Sequence, residues 1–136
     1  MKISNAVKTL RVKVDGTNYT AAAGSTAVTS EAIDTFGFDG IRIVMGFGAI
    51  VSGAATSFKL QECATSGGSY ADIAGSSVTV ADTDDNKIAI AEIYQPRARF
   101  IKVVISRATQ NATVDFMIAE LTSARVLLLM TIAMGR

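Results

Sequence analysis

The 136-residue chain contains no histidine and one cysteine, Cys63, while 49% of its residues are apolar. Hydrolytic and transfer chemistry near neutral pH usually draws on an imidazole, and protein-held transition metals on imidazole or several thiolates; the residue inventory therefore argues against an enzyme and against a bound cofactor. Thirteen basic residues balance twelve acidic ones, interspersed along the chain, so no region carries the electrostatic footprint of a nucleic-acid binder.

The length fits one domain, residues 1–136, able to bury roughly two thirds of the surface of its unfolded form without staples. Cys63 reads as a small, half-buried filler at a strand end, in keeping with synthesis in a reducing cytoplasm. Charged residues make up 18%, below the usual quarter, and such a chain is expected to hide part of its surface against other subunits. The start, MKISNAVKTLRVKVDG, lacks the unbroken apolar stretch of a secretory signal. The longest apolar run, Val126 to Met134, is too short for a membrane helix, which takes about 20 residues. No membrane association is expected.

Taken in chain order, the first strand is Leu10 to Val14, with Leu10, Val12 and Val14 facing one way before Asp15-Gly16 turns the chain. Thr17 to Ser30 is small and polar, an extended excursion without bulk to anchor a core, leading to a short strand near Glu31 to Thr35. The clearest strand follows Gly40: Ile41, Ile43, Met45, Phe47 and Ala49 share one face, while Arg42, Val44, Gly46, Gly48 and Ile50 share the other. Two glycines on that second face invite a close neighbour, either another sheet or another subunit.

Phe58 to Glu62, with Phe58 and Leu60 inward, forms a hairpin with Tyr70 to Ile73 across a Gly-Ser loop. Val78 to Val80 is short. Lys87 to Tyr94 is a strand of unresolved facing, because Ile88, Ile90 and Ile93 do not share one parity, and Pro96 ends it. Phe100 to Ser106 places Ile101, Val103 and Ile105 inward, and Thr113 to Leu121 is expected to be its partner. The C-terminal segment is apolar on both strand faces: Val126, Leu128, Met130, Ile132 and Met134 on one, Leu127 and Leu129 on the other. Some eight short strands with no amphipathic helix predict an all-β, antiparallel β-sandwich, jelly-roll-like, with candidate arms at residues 1–9 and 122–136.

Few constellations carry chemistry. Asp82, Asp84 and Asp85 are the weak candidates for a hard cation, but the EF-hand pattern fails, with Lys87 and Ile93 where it needs Gly and a carboxylate; an Asp-rich turn is the plainer reading. Gly46-Phe47-Gly48 lacks the third glycine and the helix of a dinucleotide loop. Any two of Asp39, Glu62, Glu92 and Glu120 could meet as a glycosidase-like pair, though nothing selects one. Arg97, Arg99, Lys102 and Arg107 read as a solvated basic face around Pro96.

Several segments carry a family resemblance: Asp34-Thr35-Phe36-Gly37-Phe38-Asp39-Gly40 leading into an apolar strand with a Gly-rich exit, Lys59-Leu60-Gln61-Glu62, Ala71-Asp72-Ile73-Ala74-Gly75, and Arg99-Phe100-Ile101-Lys102-Val103-Val104. Over Thr35 to Leu121, about two thirds of the chain, the pattern resembles the head decoration, or cement, proteins of tailed bacteriophages. The resemblance implies a non-enzymatic virion protein on the outer capsid surface, made in the host cytoplasm. Its implied partners are the major capsid protein and further copies of itself, a trimer being favoured. Interface candidates are Val126, Leu127, Leu128, Leu129, Met130, Ile132, Gly46 and Gly48. The same grammar occurs in discoidin-like carbohydrate-binding sandwiches, so the alternative is a sugar- or receptor-binding module of a tail or fibre; where those modules offer tryptophan, this chain has Tyr70.

Overall fold

A computed structural model describes residues 7–124. The strands are β1 (Lys8–Arg11), β2 (Lys13–Val14), β3 (Thr17–Asn18), β4 (Ala22–Gly24), β5 (Val28–Thr29), β6 (Ile33–Asp34), β7 (Phe38–Ile50), β8 (Ala55–Cys63), β9 (Ala71–Asp72), β10 (Val78–Val80), β11 (Ile88–Tyr94), β12 (Phe100–Ala108) and β13 (Ala112–Ala124). All pairings are antiparallel. The first sheet runs β1-β13-β7-β11, with β4 beside β13 further along the same strand. The second runs β10-β8-β12-β5, with β9 beside β8 and β6 beside β12, and β2 and β3 form a separate ribbon.

If β1 with β4, β5 with β6, and β9 with β10 each count as one position, the pairings nest. The first position pairs with the last, β5/β6 with β12, β7 with β11, and β8 with β9/β10. A long hairpin wrapped on itself in this way is a jelly roll, so the fold is the all-β sandwich expected from the strand pattern.

Alternation explains why the two sheets pack. Ile41, Ile43 and Met45 of β7 and Ile101, Val103 and Ile105 of β12 are all buried and join Phe58, Leu60, Val114 and Leu121 in one core. Their period of two turns every apolar side chain of a strand to the same side, and burying those sides against each other is the main driving force for the sandwich.

Several expectations shift. Leu10, Val12 and Val14 do share a core-facing side, but the strand is broken at Val12, whose N–H bonds to the Met117 carbonyl. The excursion from Thr17 to Ser30 does contribute bulk, because Tyr19 is buried in the core. Ile50, expected outward, is buried, and Ala49, expected inward, is exposed. Two compensating bulges cause the exchange: β7 advances from Ile50 to Phe47 while β13 moves only from Ala112 to Val114, and β13 then moves from Val114 to Phe116 against Phe47 to Gly46. β12 and β13 are consecutive but not partners. β12 bonds β8, β5 and β6 while β13 bonds β7, β1 and β4, the turn at Thr109 (φ +69°) carrying the chain between sheets.

The arm boundaries also move. Lys8 and Thr9 pair with Leu121 and Glu120, and Thr122 and Ala124 pair with Gly40 and Phe38, so these parts of both candidate arms belong to the first sheet. Residues 1–6 and 125–136 lie outside the described residues.

Arg107 is not part of a solvated basic face. It is buried, and its guanidinium donates to the carbonyls of Thr26 (2.7 Å), Ala22 (3.0 Å) and Ala112 (3.0 Å). It thereby ties the excursion around β4 to the ends of β12 and β13. Gly24 leaves room for it, since a Cβ there would come within 2.9 Å of its terminal nitrogen.

Candidate functional site

Among the described residues, the outer face of the first sheet carries three of the exposed large apolar side chains, Ile88, Ile90 and Tyr94. β11 resolves its ambiguous parity here: Ala89, Ala91 and Ile93 turn toward the core, while Ile88, Ile90, Glu92 and Tyr94 turn to solvent. Ile88 is 63% exposed, Ile90 54% and Tyr94 72%. The register lines the outward residues into rows across the sheet: Ile88, Gly46 and Phe116; Ile90, Val44 and Ile118; Glu92, Arg42 and Glu120; Tyr94, Gly40 and Thr122. Neighbouring strands in a sheet lie about 4.8 Å apart, so side chains within a row touch or nearly touch. Two apolar rows therefore adjoin one charged row.

Gly46 serves this face from within. The Phe116 ring lies across it, so that any Cβ would collide with the ring, and the Asp115 carboxylate lies over Gly48, 2.7 Å from where a Cβ would stand. The close neighbours that these two glycines admit are side chains of the adjacent strand. Gly46 and Gly48 are themselves buried, and the part of this face open to a partner is Ile88, Ile90, Val44, Phe116 and Ile118. Val126, Leu127, Leu128, Leu129, Met130 and Ile132 lie outside the described residues.

In the charged row, Arg42 stands between two carboxylates, 2.8 Å from Glu120 and 3.7 Å from Glu92. Hydrogen bonding and attraction from Glu120, with Glu92 adding to them, raise the Arg42 pKa. Glu92 and Glu120, two of the carboxylates that could have paired, do share a row, but with a cation between them rather than an open gap for a substrate.

A second feature lies at the end of the sandwich where β6 leads into β7 and β11 leads into β12. A groove of about 360 Å³ is bordered by Thr35, Phe36, Gln95, Pro96, Arg97 and Arg99. Arg99 makes a two-pronged bond to Asp34, 2.8 Å at each prong, and its guanidinium lies 4.7 Å from the Phe36 ring centre and 5.1 Å from that of Phe100. The Arg99 hydrogen bond holds the Asp34 carboxyl below the usual carboxylate range. Phe36 is 68% exposed, yet this cation lies over its ring. Lys102 lies similarly over Tyr70, 4.4 Å from its ring centre.

Two carboxylates of the acidic turn accept from nearby donors of the protein. Asp82 accepts from Gly53 N–H (2.7 Å), and Asp84 accepts from Ala81 N–H (3.0 Å) and from the Lys87 ammonium (2.8 Å). The Lys87 bond chiefly holds the Asp84 carboxyl below its ordinary value. Among the described residues no three His, Cys, Asp or Glu side chains are grouped so as to hold a metal ion, Asp82, Asp84 and Asp85 included. Cys63 ends β8 half-buried, its sulfur 3.9 Å from the Thr65 hydroxyl.

The sequence pattern missed the apolar outer face because Ile93 obscured the parity of β11. Counting Ala89 and Ala91 as core residues beside Ile93 would have revealed it.

No protein-family model matches the chain, and no curated protein matches it in sequence. Among solved structures, a family GH115 4-O-methyl-α-glucuronidase with specificity for decorated arabinogalactans is similar at 12% identity and a TM-score of 0.49 over 90% of this chain, which spans 17% of that protein. The CBM22-1 xylan-binding domain from Paenibacillus barcinonensis is similar at 12% identity and a TM-score of 0.49, covering 88% of this chain and 97% of that one. A chain of infectious bursal disease virus, Gt strain, is similar at 10% identity and a TM-score of 0.47, covering 86% of this chain and 32% of that one.

Proposed function

We propose that this chain is a non-enzymatic structural protein of a bacteriophage virion, seated on the outer capsid surface and bridging capsid subunits. The observation that supports the reading most is the outer face of the first sheet, where Ile88, Ile90, Val44, Phe116 and Ile118 form an apolar patch bordered by the Glu92–Arg42–Glu120 row. Contiguous apolar surface rimmed by charge is the usual mark of a protein-binding face, and the jelly roll beneath it supplies a rigid support. The proposed partners are the major capsid protein and further copies of this chain.

The test is whether the chain is a particle component. Mass spectrometry of density-purified virions should find it, and the purified chain should co-sediment with capsids stripped of it. Replacing Ile88 and Phe116 together by Ser should reduce that binding. Absence from purified particles would overturn the reading.

A second reading, a sugar-binding module, is favoured by one observation: Phe36 stands 68% exposed in the groove at the Pro96 end. A glycan array decides between the two. Specific binding lost on Phe36→Ala would replace the capsid role, and a blank array would leave that role alone in the field.

A further inference from the structure

Ten of the thirteen basic residues lie among the described residues, and six of those are already employed. Arg42, Lys59, Lys87 and Arg99 form ion pairs, Lys102 lies over the Tyr70 ring, and Arg107 is held by three backbone carbonyls. Lys8, Arg11, Lys13 and Arg97 are left. All twelve Asp and Glu residues of the chain are among the described residues, and none of them comes within ion-pair distance of these four. Three of the four, Lys8, Arg11 and Lys13, border a single groove of about 510 Å³.

The groove lies where β1 of the first sheet, the β2–β3 ribbon and β6 of the second sheet come together. Its walls are fastened by the protein's own bonds. Glu31 N–H donates to the Lys13 carbonyl (2.8 Å), and the Arg11 guanidinium spends one N–H on the Tyr19 carbonyl (3.2 Å).

Two carboxylates also border the groove, and both are engaged by other donors. Glu31 accepts from the Gly16 N–H, at the turn where Asp15 and Gly16 take positive φ (+51° and +81°). Asp34 takes the two-pronged bond of Arg99 and the Phe36 N–H (2.9 Å). The Arg99 bond, far more than the distant attraction of Lys8, holds the Asp34 carboxyl low.

The charge left over sets the ligand. With Asp34 neutralised by Arg99, the three cations face Glu31 alone, and two positive charges remain in excess. A carboxylate ligand would cancel one of them, whereas a phosphate monoester carries a charge of about −2 near pH 7. Arg and Lys are the usual phosphate-binding side chains, Arg through paired N–H donors and Lys as a compact charge. The volume falls within the range of small-molecule sites, about 300 to 1,000 Å³, so there is room for the group that carries the phosphate. Asn18 offers that group an amide, and Leu10 and Ile33 an apolar wall. Lys8, Arg11 and Lys13 are exposed, so salt screens their attraction and the affinity is modest.

We infer that the groove between β1, the β2–β3 ribbon and β6 binds the phosphate monoester of a small polyhydroxy compound through Lys8, Arg11 and Lys13. The inference goes beyond the virion role proposed above and does not depend on it.

Amide-detected NMR titration of the full chain with glucose 6-phosphate at low ionic strength tests it. Saturable shifts should centre on residues 8–18 and 31–34, with a Kd of about 1 mM or below. Glucose should give none, and inorganic phosphate should bind more weakly than the ester. Glucose 6-sulfate, of similar shape but with one charge, should bind at least about threefold more weakly. Replacing Lys8 and Lys13 together by Gln should weaken glucose 6-phosphate binding at least about tenfold. Lys102→Gln, a single charge removed far from the groove in sequence, should leave the affinity within about twofold.

No saturable shift, shifts spread over all the basic residues, or an equal loss in Lys102→Gln would each overturn the inference. Inorganic phosphate or the sulfate binding as tightly as glucose 6-phosphate would do the same, since the groove would then select neither the ester nor its second charge. Binding that survives the double substitution and is lost on Phe36→Ala belongs to the groove at the Pro96 end and also overturns it. Capsids take no part in these measurements, so a failure here leaves the virion role standing, and absence of the chain from virions leaves this inference standing.

Discussion

The two margins of the first sheet are built on opposite plans. On the β1 and β4 side the strands are short and the chain is held by side chains acting as polar ties. Arg107 gathers three carbonyls, and nearby in the second sheet Ser30 receives the Val103 N–H (2.8 Å) and Thr35 donates to the Arg99 carbonyl (2.7 Å). On the β11 side the polar side-chain tie within the sheet is Glu92 to Arg42 (3.7 Å) on the outer face, where large apolar side chains also face outward. Where polar side chains bond the chain's own backbone, the margin is fastened within the subunit. Where large apolar side chains face outward, the margin remains free to make contacts outside it.

The contrast can be tested by substitutions of decreasing effect. Ile101 is fully buried in the core between the sheets, so Ile101→Ala sets the upper end of the scale at about 2 to 5 kcal/mol in urea unfolding, as should Ile43→Ala. Arg107→Met removes the donor shared by the Ala22, Thr26 and Ala112 carbonyls while retaining much of the buried volume. A loss of about 2 to 4 kcal/mol is expected, with amide exchange rising first in residues 20–29. If exchange rises first in β11 instead, the tie does not act where the geometry puts it.

Asp34 gives a smaller and pH-dependent effect. Its carboxyl is lowered chiefly by the Arg99 hydrogen bond, so its contribution is present above the unfolded-state value near pH 4 and fades as pH falls through the lower folded value. Asp34→Asn should therefore cost stability at pH 6, by less than about 1 kcal/mol because both partners are half exposed, and the difference should vanish in strong acid. A difference that grows on acidification would contradict the assignment. At the far end of the scale, Ile88→Thr on the open margin should alter folding stability by no more than about 0.5 kcal/mol while making the protein less prone to associate.

The parts of the fold that could be read in advance are those governed by strict alternation. Ile101, Val103 and Ile105, or Phe58 and Leu60, follow a period of two without interruption, and their facing was legible. Facing failed at Ile50 because a bulge slips the register by one residue, and nothing in the side chains near Gly48 marks where an extra residue is absorbed. Pairing failed for β12 and β13 because nearness in sequence suggests a hairpin, whereas the nested topology places each beside strands made much earlier. Arg107 was misread for a related reason: a charged residue in a strand suggests solvent until the three carbonyls around it, two of them from the excursion before β5, are known. The open face went unrecognised because alanine is a weak hydrophobic signal, and Ala89 and Ala91 reveal the inward side of β11 only once their neighbours are seen.

The position of β13 has a consequence for biosynthesis. Although it is the last of the described strands, it lies inside the first sheet, between β7 and the β1/β4 margin. A chain emerging from the ribosome can form the hairpin of β8 and β9 early, and can pair β7 with β11 soon after, but the first sheet has no interior until residues 112–124 are available. Until then β1 and β4 have no ladder to join, one side of β7 is unpaired, and the apolar residues of three strands await a common partner. The nascent protein therefore passes late through a state resembling an opened book, prone to clumping with its neighbours.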